Sequence, residues 1–348
     1  MRTIHLPQKA LWALLATSVM STAASAETIL RYSDHQPLDQ MRTTFLKEVL
    51  FPAIEQESNG RLKIEDHWDG ELAAPYDALG AVSEGAVTDI ATAVPEYTAD
   101  SLPLHQIFKS FPVGPTGDAQ VSFFREVYAE VLEFSEELAD NNVIPIFLGT
   151  GYPVAFFSAE PLASLDEIGG TTWRSASFWH LDFLRNIGAE SVRIPWGQQV
   201  YDAFAARTLD GLMVNVDSGY NLKVYEQAPH VLVSQELWLG HLYPVVMNLD
   251  TWNGLSQEDK AAIQRAAETA YAALGAEMDR SYDAQLKDLE KLGATVRRLD
   301  ETEIEAFSTA SRYLDVQTGW VSEQESSGAS NAGLVVEKVS TIMRHAMD

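Results

Sequence analysis

Residues 164–177 read SLDEIGGTTWRSAS and combine three signals of an α/β fold. Residues 164–167 fit a capping-box pattern, in which a serine and a following acidic side chain cap the start of a helix. The Gly-Gly pair at 169–170 predicts a turn, and residues 171–175 predict a short strand. Residues 175–177 then open another helix. The segment therefore predicts a strand that ends where a helix begins, with Arg174 at the junction.

Short β-rich runs alternate with longer helical patterns on both sides of this segment. Strands are predicted at 28–32, 61–67, 88–94, 143–148, 191–194, 212–216, 243–249 and 296–299, and helices at 41–57, 72–84, 118–138, 178–187 and 198–207. This alternation is the pattern of βαβ units with a largely parallel sheet. We predict two α/β lobes, residues 27–150 and 151–242, and a shared segment at 243–348.

One helical pattern is too long for a single small lobe. It runs from Ser256 to about Leu292, interrupted only by Gly275. At 1.5 Å per residue such a helix is ~55 Å long. We therefore expect residues 243–348 to supply a hinge strand, a long helix that bridges both lobes, and C-terminal helices.

The first residues have the order of an export signal. A basic start is followed by an apolar run at 10–20 and by small residues ending in Ala24-Ser25-Ala26. This order predicts a signal peptide at residues 1–26, cleaved after Ala26, and a location in the periplasm. The chain contains no cysteine, so packed cores rather than disulfides must stabilise it.

The charge of the chain excludes one class of partner. With 24 Lys and Arg residues against 50 Asp and Glu residues, the formal net charge is −26. A nucleic acid or an anionic membrane would be repelled, so neither is expected as a partner. If the ligand is an anion, a local cation must hold it against this global charge.

Known catalytic motifs are missing from the sequence. There is no serine elbow, metalloprotease helix, phosphate-binding loop or dinucleotide fingerprint. The histidines are scattered without the spacing of metal ligands. We therefore expect neither an enzyme nor a resident cofactor or metal.

Arg174 is the first candidate for a binding residue. Open α/β folds bind ligands at the carboxyl ends of their strands, and a guanidinium there can form two parallel hydrogen bonds to a carboxylate. A helix start beside it adds backbone N–H groups. Local sequence leaves an alternative open, in which Arg174 bridges to Asp166 or Glu167 at the surface.

Aromatic residues lie near the same strand ends. Trp68, Tyr152 and Trp196 are candidate walls of a binding cleft, because a flat ring packs well against a ligand ring or an aliphatic chain. Trp173 adjoins Arg174 on a strand, so the two side chains must point to opposite faces. If Arg174 faces the cleft, Trp173 faces the core.

Several short motifs, weak alone, together resemble the dicarboxylate-binding type of periplasmic receptor from TRAP transporters. They are Ser58-Asn59-Gly60, Gly70-Glu71-Leu72, Asp89-Ile90, the 165–170 segment leading to Arg174, Gly188-Ala189, Val200-Tyr201-Asp202-Ala203, Leu209-Asp210-Gly211, and Met247-Asn248 ahead of Trp252. The resemblance covers essentially the whole chain after residue 26.

The resemblance implies a two-lobed clamshell, with hinge strands and a long bridging helix, that closes on one small-molecule ligand. It also implies that Arg174 pairs with the ligand carboxylate and that the loaded receptor docks on a small and a large membrane subunit. His35, Ser175 and Asn215 are further candidate ligand-binding residues.

The sequence departs from the sialic-acid branch of this family at two positions. Val154 stands where that branch has a second arginine, and Val214 stands where it has an asparagine, with Asn215 adjacent. An unpaired buried carboxylate is costly, so we expect the far end of the ligand to be neutral. This favours an aromatic or hydrophobic monocarboxylate, followed by sugar acids and hydroxy acids.

Two alternatives from other classes remain at this point. A receptor for an ATP-driven importer shares the clamshell, but neither the single long bridging helix nor this arginine motif. A secreted enzyme would need a nucleophile and a base converging in the cleft.

Overall fold

The computed structural model describes residues 27–194, 197–238, 240, 242–329 and 331–347. The predicted signal peptide at 1–26 and the candidate binding residue Trp196 lie outside these ranges. Among the described residues, no helix has both the length and the apolar character needed to cross a membrane.

The strands and helices alternate along the chain. The strands are β1 (Thr28–Ser33), β2 (Leu62–His67), β3 (Ile90–Thr92), β4 (Val143–Thr150), β5 (Val154–Ser158), β6 (Thr172–Arg174), β7 (Glu190–Val192), β8 (Gly211–Asn215), β9 (His230–Val233), β10 (Leu242–Asn248) and β11 (Thr295–Arg298). The α-helices are α1 (Met41–Phe45), α2 (Phe51–Glu57), α3 (Ala78–Glu84), α4 (Gly117–Glu130), α5 (Glu133–Asp140), α6 (Phe178–Asn186), α7 (Gln198–Ala205), α8 (Val216–Asn221), α9 (Leu249–Gly254), α10 (Gln257–Lys291), α11 (Glu301–Ala310), α12 (Tyr313–Ser326) and α13 (Ala332–Met347).

These strands form two mixed sheets. The first has the order β2-β1-β3-β10-β4, and the second has the order β11-β9-β5-β8-β6-β7. In the first, β1 is parallel to β2 and β3, whereas β10 is antiparallel to β3 and β4. In the second, β6 is parallel to β7 and β8, whereas β5 is antiparallel to β8 and β9. The predicted α/β class is confirmed, with antiparallel pairs beside the parallel ones.

The chain passes between the two sheets through β4–β5, through β9–β10, and through α10 into β11. The helix α10 contacts α2 and α4 beside the first sheet, and α8 and β11 beside the second. Its 35 residues make it ~52 Å long. Ser256 caps its start by accepting a hydrogen bond from the Asp259 N–H at 3.1 Å. The predicted long helix is therefore present, and it contacts elements on both sides.

Buried apolar side chains cover both faces of each sheet. Along β5, Phe157 belongs to a cluster with the α10 residue Tyr282, while Phe156 belongs to a cluster with the α11 residue Phe307. This is the alternation that a strand buried on both faces requires. The C-terminal helices α12 and α13 pack with α4 on a further cluster.

Prolines explain two differences from the predicted helices. The helix predicted at 72–84 begins only at Ala78, because Pro75 disfavours helical backbone in the residue before it. The helix predicted at 41–57 is present, but a π-helical turn at Leu46–Leu50 separates α1 from α2. Pro52 has no N–H to donate to the preceding turn, which is a common cause of such an interruption.

Other boundaries also differ. The stretch predicted as one helix at 118–138 is two helices, α4 and α5, and β9 was not predicted. The capping-box prediction at residue 164 is wrong. The segment Leu165–Ile168 is a 3₁₀ turn, and in the described chain the Ser164 side chain makes no capping hydrogen bond. Glu167 instead accepts a hydrogen bond from the Ala163 N–H at 2.9 Å.

Candidate ligand-binding site

A cavity lies between the two sheets, where β1 and β3 of the first and β6 and β8 of the second end. It contains about 770 Å³ of space, its open mouth included. Open α/β sheets place ligand sites at such strand ends. The lining residues are His35, Gln36, Gln40, Arg42, Val94, Glu96, Tyr97, Lys109, Gly151, Arg174, Ser175, Ala176, Ser177, Met213, Val214, Asn215, Asp217, Ser218 and Tyr243.

Arg174 is the last residue of β6 and lines the cavity with 1% of its surface exposed. Its guanidinium donates from Nε and Nη2 to the Ile194 carbonyl. Burial lowers the pKa of Arg174 to about 10, and the neighbouring Arg193 adds to this effect. The alternative of a surface bridge to Asp166 or Glu167 does not hold, because Arg174 is buried.

Asp210, just before β8, and Gly211, its first residue, position the strand that carries Arg174. Trp173 points away from the cavity into the core, as strand alternation predicts. Its indole covers Gly211 so closely that a Cβ there would lie 2.3 Å from the ring. Asp210 accepts a hydrogen bond from the Thr172 N–H at 2.8 Å. The Trp173 ring therefore requires glycine at position 211, and the Asp210 carboxylate ties the start of β6 to this turn.

Serines follow Arg174 at the start of α6. The Ser175 hydroxyl accepts a hydrogen bond from the Ser177 N–H at 3.3 Å and lies 3.4 Å from His180 Nδ1. Burial lowers the pKa of His180 well below its usual value, and Lys109 lowers it further. His180 is therefore neutral, and it supports the loop behind Ser175 without adding charge.

Arg42 also lines the cavity but is paired within the protein. It donates to Asp34 from Nη2 at 3.0 Å and from Nη1 at 2.5 Å, and its guanidinium lies over the Tyr243 ring. Burial alone would raise the pKa of Asp34, but Arg42 holds it at about 2. The Tyr32 hydroxyl donates to the same carboxylate at 2.7 Å. The charges of Arg42 and Asp34 therefore neutralise each other.

Two further charged groups form a second pair. Lys109 and Glu96 make an ion pair in which the Lys109 side chain is almost fully buried. His35 lies beside them, and its ring meets the Tyr97 ring edge-on. Burial lowers the pKa of His35, so its imidazole is neutral near pH 7.

Asp217 lines the cavity at the beginning of α8. It accepts a hydrogen bond from the Ser218 N–H at 2.8 Å. Burial raises the pKa of its carboxyl group to about 6, although Arg42 opposes that effect. Asp217 is thus a carboxylate held in poorly solvated surroundings.

The structure brings some predicted site residues together and places others elsewhere. Arg174, Ser175, Asn215 and His35 line the cavity. Neither Trp68 nor Tyr152 is among its described lining residues, and Trp196 lies outside the described ranges.

The positions of Trp68 and Tyr152 have a topological reason. Trp68 follows β2, which is an edge strand, and it packs against Phe51 and Tyr32. Tyr152 lies in the crossing between β4 and β5, and its ring turns into the core towards Tyr282. The lining aromatic residues in the described chain are instead Tyr97 and Tyr243.

Sequence reasoning missed Arg42, Glu96, Lys109 and Asp217. Glu96 and Tyr97 follow the end of β3, so the strand-end rule that selected Arg174 could also have selected them. The same rule could have selected Asp217, which follows the end of β8, whereas Arg42 and Lys109 carry no local signal in so charged a chain. No group of three or more His, Asp or Glu side chains positioned for a metal ion occurs in the described part of the chain.

The model of the family described as bacterial extracellular solute-binding protein, family 7, matches residues 41–315. The ectoine-binding periplasmic protein TeaA of Halomonas elongata is 24% identical over 298 residues, which cover 83% of each chain.

Solved structures of TRAP solute-binding proteins have the same fold. The protein from Rhodoferax ferrireducens T118, bound to copurified benzoate, superimposes with a TM-score of 0.74 at 18% identity, covering 90% of this chain and 99% of the other. The protein from Chromohalobacter salexigens, bound to D-glucuronate, gives 0.72 at 20% identity with the same coverage.

Proposed function

The chain belongs to bacterial extracellular solute-binding protein family 7, and from that premise we propose that it captures a small organic acid on Arg174. Within this family it is the solute receptor of a TRAP transporter. The observation that carries the proposal is a buried guanidinium at a strand end inside the cavity between the two sheets.

The physical argument rests on the cost of burying a charge. Burial lowers the pKa of Arg174, which means that its surroundings solvate the cation poorly. A ligand carboxylate would stabilise the cation, and the planar guanidinium can meet carboxylate oxygens with directed hydrogen bonds. The Ile194 carbonyl fixes the guanidinium before the ligand arrives, so little ordering is left to the binding step.

The rest of the cavity favours an acid with polar substituents. The sequence-based preference for an aromatic or hydrophobic monocarboxylate relied on Val154 in place of a second arginine and on Trp196, which lies outside the described ranges. Most described lining residues instead carry hydrogen-bonding groups, including Gln36, Asn215 and Ser218. Similar proteins bind benzoate, D-glucuronate and ectoine, all of which are carboxylates. We propose a polar organic acid ahead of a plain aromatic one.

We also propose that the two sheets are the cores of two lobes that close on the ligand. Residues 27–150 would form one lobe and residues 151–242 the other, with 243–348 shared. The crossings at β4–β5 and β9–β10 would act as hinges, and α10, which contacts both sides, would limit the motion. The cavity between the sheets is where such a movement would enclose a ligand.

The remaining steps follow from the receptor role. Its relatives are periplasmic proteins, and we propose export through the signal peptide at residues 1–26 with cleavage after Ala26. We further propose that the loaded receptor docks on the small and large membrane subunits and releases its ligand unchanged, without catalysis.

Uptake by reconstituted membrane subunits tests this function. Vesicles that carry the two TRAP membrane subunits should accumulate a radiolabelled acid only when this receptor and an ion gradient are both present, and without ATP. Uptake that needs ATP, or that proceeds equally well without the receptor, would contradict the proposal. Chemical conversion of the bound acid would contradict the absence of catalysis.

A further inference from the structure

Asp217 has no role in the function proposed above. It lies in the first turn of α8, two residues after Asn215 at the end of β8, and its side chain lines the cavity. The Ser218 N–H donates a hydrogen bond to Oδ1, and this contact is local to the chain. Asp217 is therefore a carboxylate presented to the ligand space by its own backbone.

The charges around the cavity are unevenly matched. Arg42 is paired with Asp34, and Lys109 is paired with Glu96. Within the described part of the chain, no lysine, arginine or histidine forms an ion pair with Asp217. Among the described residues, Asp217 is thus a cavity-lining carboxylate without an ion-pair partner of its own, acted on only through space by the Arg42 cation, which is already paired with Asp34.

Asp217 and Arg174 have different surroundings. The charged and phenolic groups that act on the pKa of Arg174 are Tyr97, Arg193 and Tyr76. Asp217 instead interacts with Arg42 and Tyr243. The two groups line the cavity from different elements, Arg174 at the end of β6 with a positive group and Asp217 in α8 with a negative one.

We propose that Asp217 binds a cationic N–H group of the ligand, so that the preferred solute is a zwitterionic acid whose carboxylate is held at Arg174. This inference rests on the proposed function. It replaces the sequence-based expectation of a neutral far end.

Two observations support a cation over a hydroxyl group. Burial raises the pKa of Asp217 to about 6, so the carboxylate is still mostly ionised at pH 7 and a positive partner would stabilise it. A zwitterion is also neutral overall, so the net charge of −26 on the chain does not repel it as it would a simple anion.

Three six-membered-ring acids isolate the group that Asp217 would recognise. Cyclohexanecarboxylate carries the acid alone, 4-hydroxycyclohexanecarboxylate adds a hydroxyl group, and piperidine-4-carboxylate replaces a ring carbon with a cationic N–H group. Ectoine, benzoate and D-glucuronate complete the panel. Dissociation constants are measured by calorimetry at pH 7.5 after exhaustive dialysis of the receptor.

Asp217→Asn tests the carboxylate with almost no change of shape. Asp140→Asn, on an exposed residue at the end of α5 that does not line the cavity, removes the same charge and is the matched control. We expect a zwitterion to bind wild type most tightly and to lose at least tenfold in affinity in Asp217→Asn. The control variant should bind as wild type, and cyclohexanecarboxylate should change less than threefold in either variant.

The possible outcomes separate this inference from the proposed function. If the tightest ligand lacks a cationic group, or if its affinity is unchanged in Asp217→Asn, the role of Asp217 is overturned. A preference for the hydroxy acid that depends on Asp217 also overturns it, since it would identify a neutral donor. If no acid in the panel binds wild type, the proposed capture of an organic acid fails as well.

Discussion

The guanidinium of Arg174 donates two hydrogen bonds to the Ile194 carbonyl, from Nε at 2.9 Å and from Nη2 at 2.7 Å. Arg174 pairs with Val192 in the parallel β6–β7 ladder, so Ile194 lies just beyond the end of the neighbouring strand. The backbone of one strand end thus orients the cation carried by the other. This relationship makes Arg174 a preorganised part of the cavity.

Asp34→Asn should destabilise the protein strongly. The substitution leaves the Arg42 guanidinium buried without its counter-charge, at a cost of about 3 kcal/mol in the free energy of unfolding. Urea denaturation at pH 7 measures the change. Asp315→Asn breaks an exposed pair with Arg312 and should cost less than about 1 kcal/mol. Equal costs for the two variants would contradict the buried-pair account.

The stability of the ligand-free protein should depend on pH through Asp217. Its folded pKa of about 6 lies above the ordinary 3.8, so the folded state holds the proton more tightly than the unfolded state does. Asp217 therefore contributes its full stabilisation of the folded protein below pH 3.8, and this contribution is lost as pH rises through about 6. The charged and phenolic groups that interact electrostatically with it include Arg42, Tyr243 and Tyr152, and none of these titrates in that window.

Asp217→Asn removes this dependence and provides the measurement. The free energy of unfolding of the variant minus that of wild type should be larger at pH 7 than at pH 4.5. The increase should be up to about 2 kcal/mol. Urea denaturation at the two pH values gives the difference. If the variant differs from wild type by the same free energy of unfolding at both pH values, Asp217 has an ordinary pKa.

Gly275→Ala should destabilise the protein although alanine favours helices. A Cβ at this position of α10 would lie 2.5 Å from the Asp118 nitrogen and 2.7 Å from the Gly117 carbonyl carbon, where α4 begins. The overlap should cost about 1 to 3 kcal/mol beyond the helix gain. Gly319→Ala in α12 meets no atom within 4 Å and should instead stabilise by about 0.5 to 1 kcal/mol. A melting temperature that rises in both variants would contradict this packing.

Gly211→Ala should weaken ligand binding indirectly, because the added methyl group does not contact the ligand. The added methyl group would overlap the Trp173 indole and displace the end of β6, which carries Arg174. A displacement of this kind loosens the guanidinium, so calorimetry should give at least a tenfold loss of affinity in a protein that still folds. Unchanged affinity would mean that Trp173 does not position Arg174.

Periodicity and strand-end rules predicted much of the fold and part of the site. The α/β class, the long helix α10 and the opposite faces of Trp173 and Arg174 follow from patterns that are local in sequence. The sequence pattern also flagged Gly275, and the approach of α4 gives the reason for it. Such features need no knowledge of distant contacts.

The remaining site residues depend on topology. Arg42 and Asp217 meet only because α1 and α8 approach the same cavity from different sheets, and no local pattern predicts that meeting. Trp68 was predicted to line the cleft but does not, because sequence alone did not identify β2 as an edge strand. Local patterns give strand ends, whereas strand order decides which ends meet.

Calorimetric titration of wild type and Arg174→Ala with the tightest-binding acid tests the central claim most directly. We predict that Arg174→Ala keeps its fold and loses about 2 to 5 kcal/mol of binding free energy, because the ligand carboxylate is left in a desolvated site without its partner. The affinity of Arg174→Lys should lie between those of wild type and Arg174→Ala. Arg344 is exposed in α13, and Arg344→Ala should bind the acid as tightly as wild type. A folded Arg174→Ala that binds the acid as tightly as wild type would contradict the account.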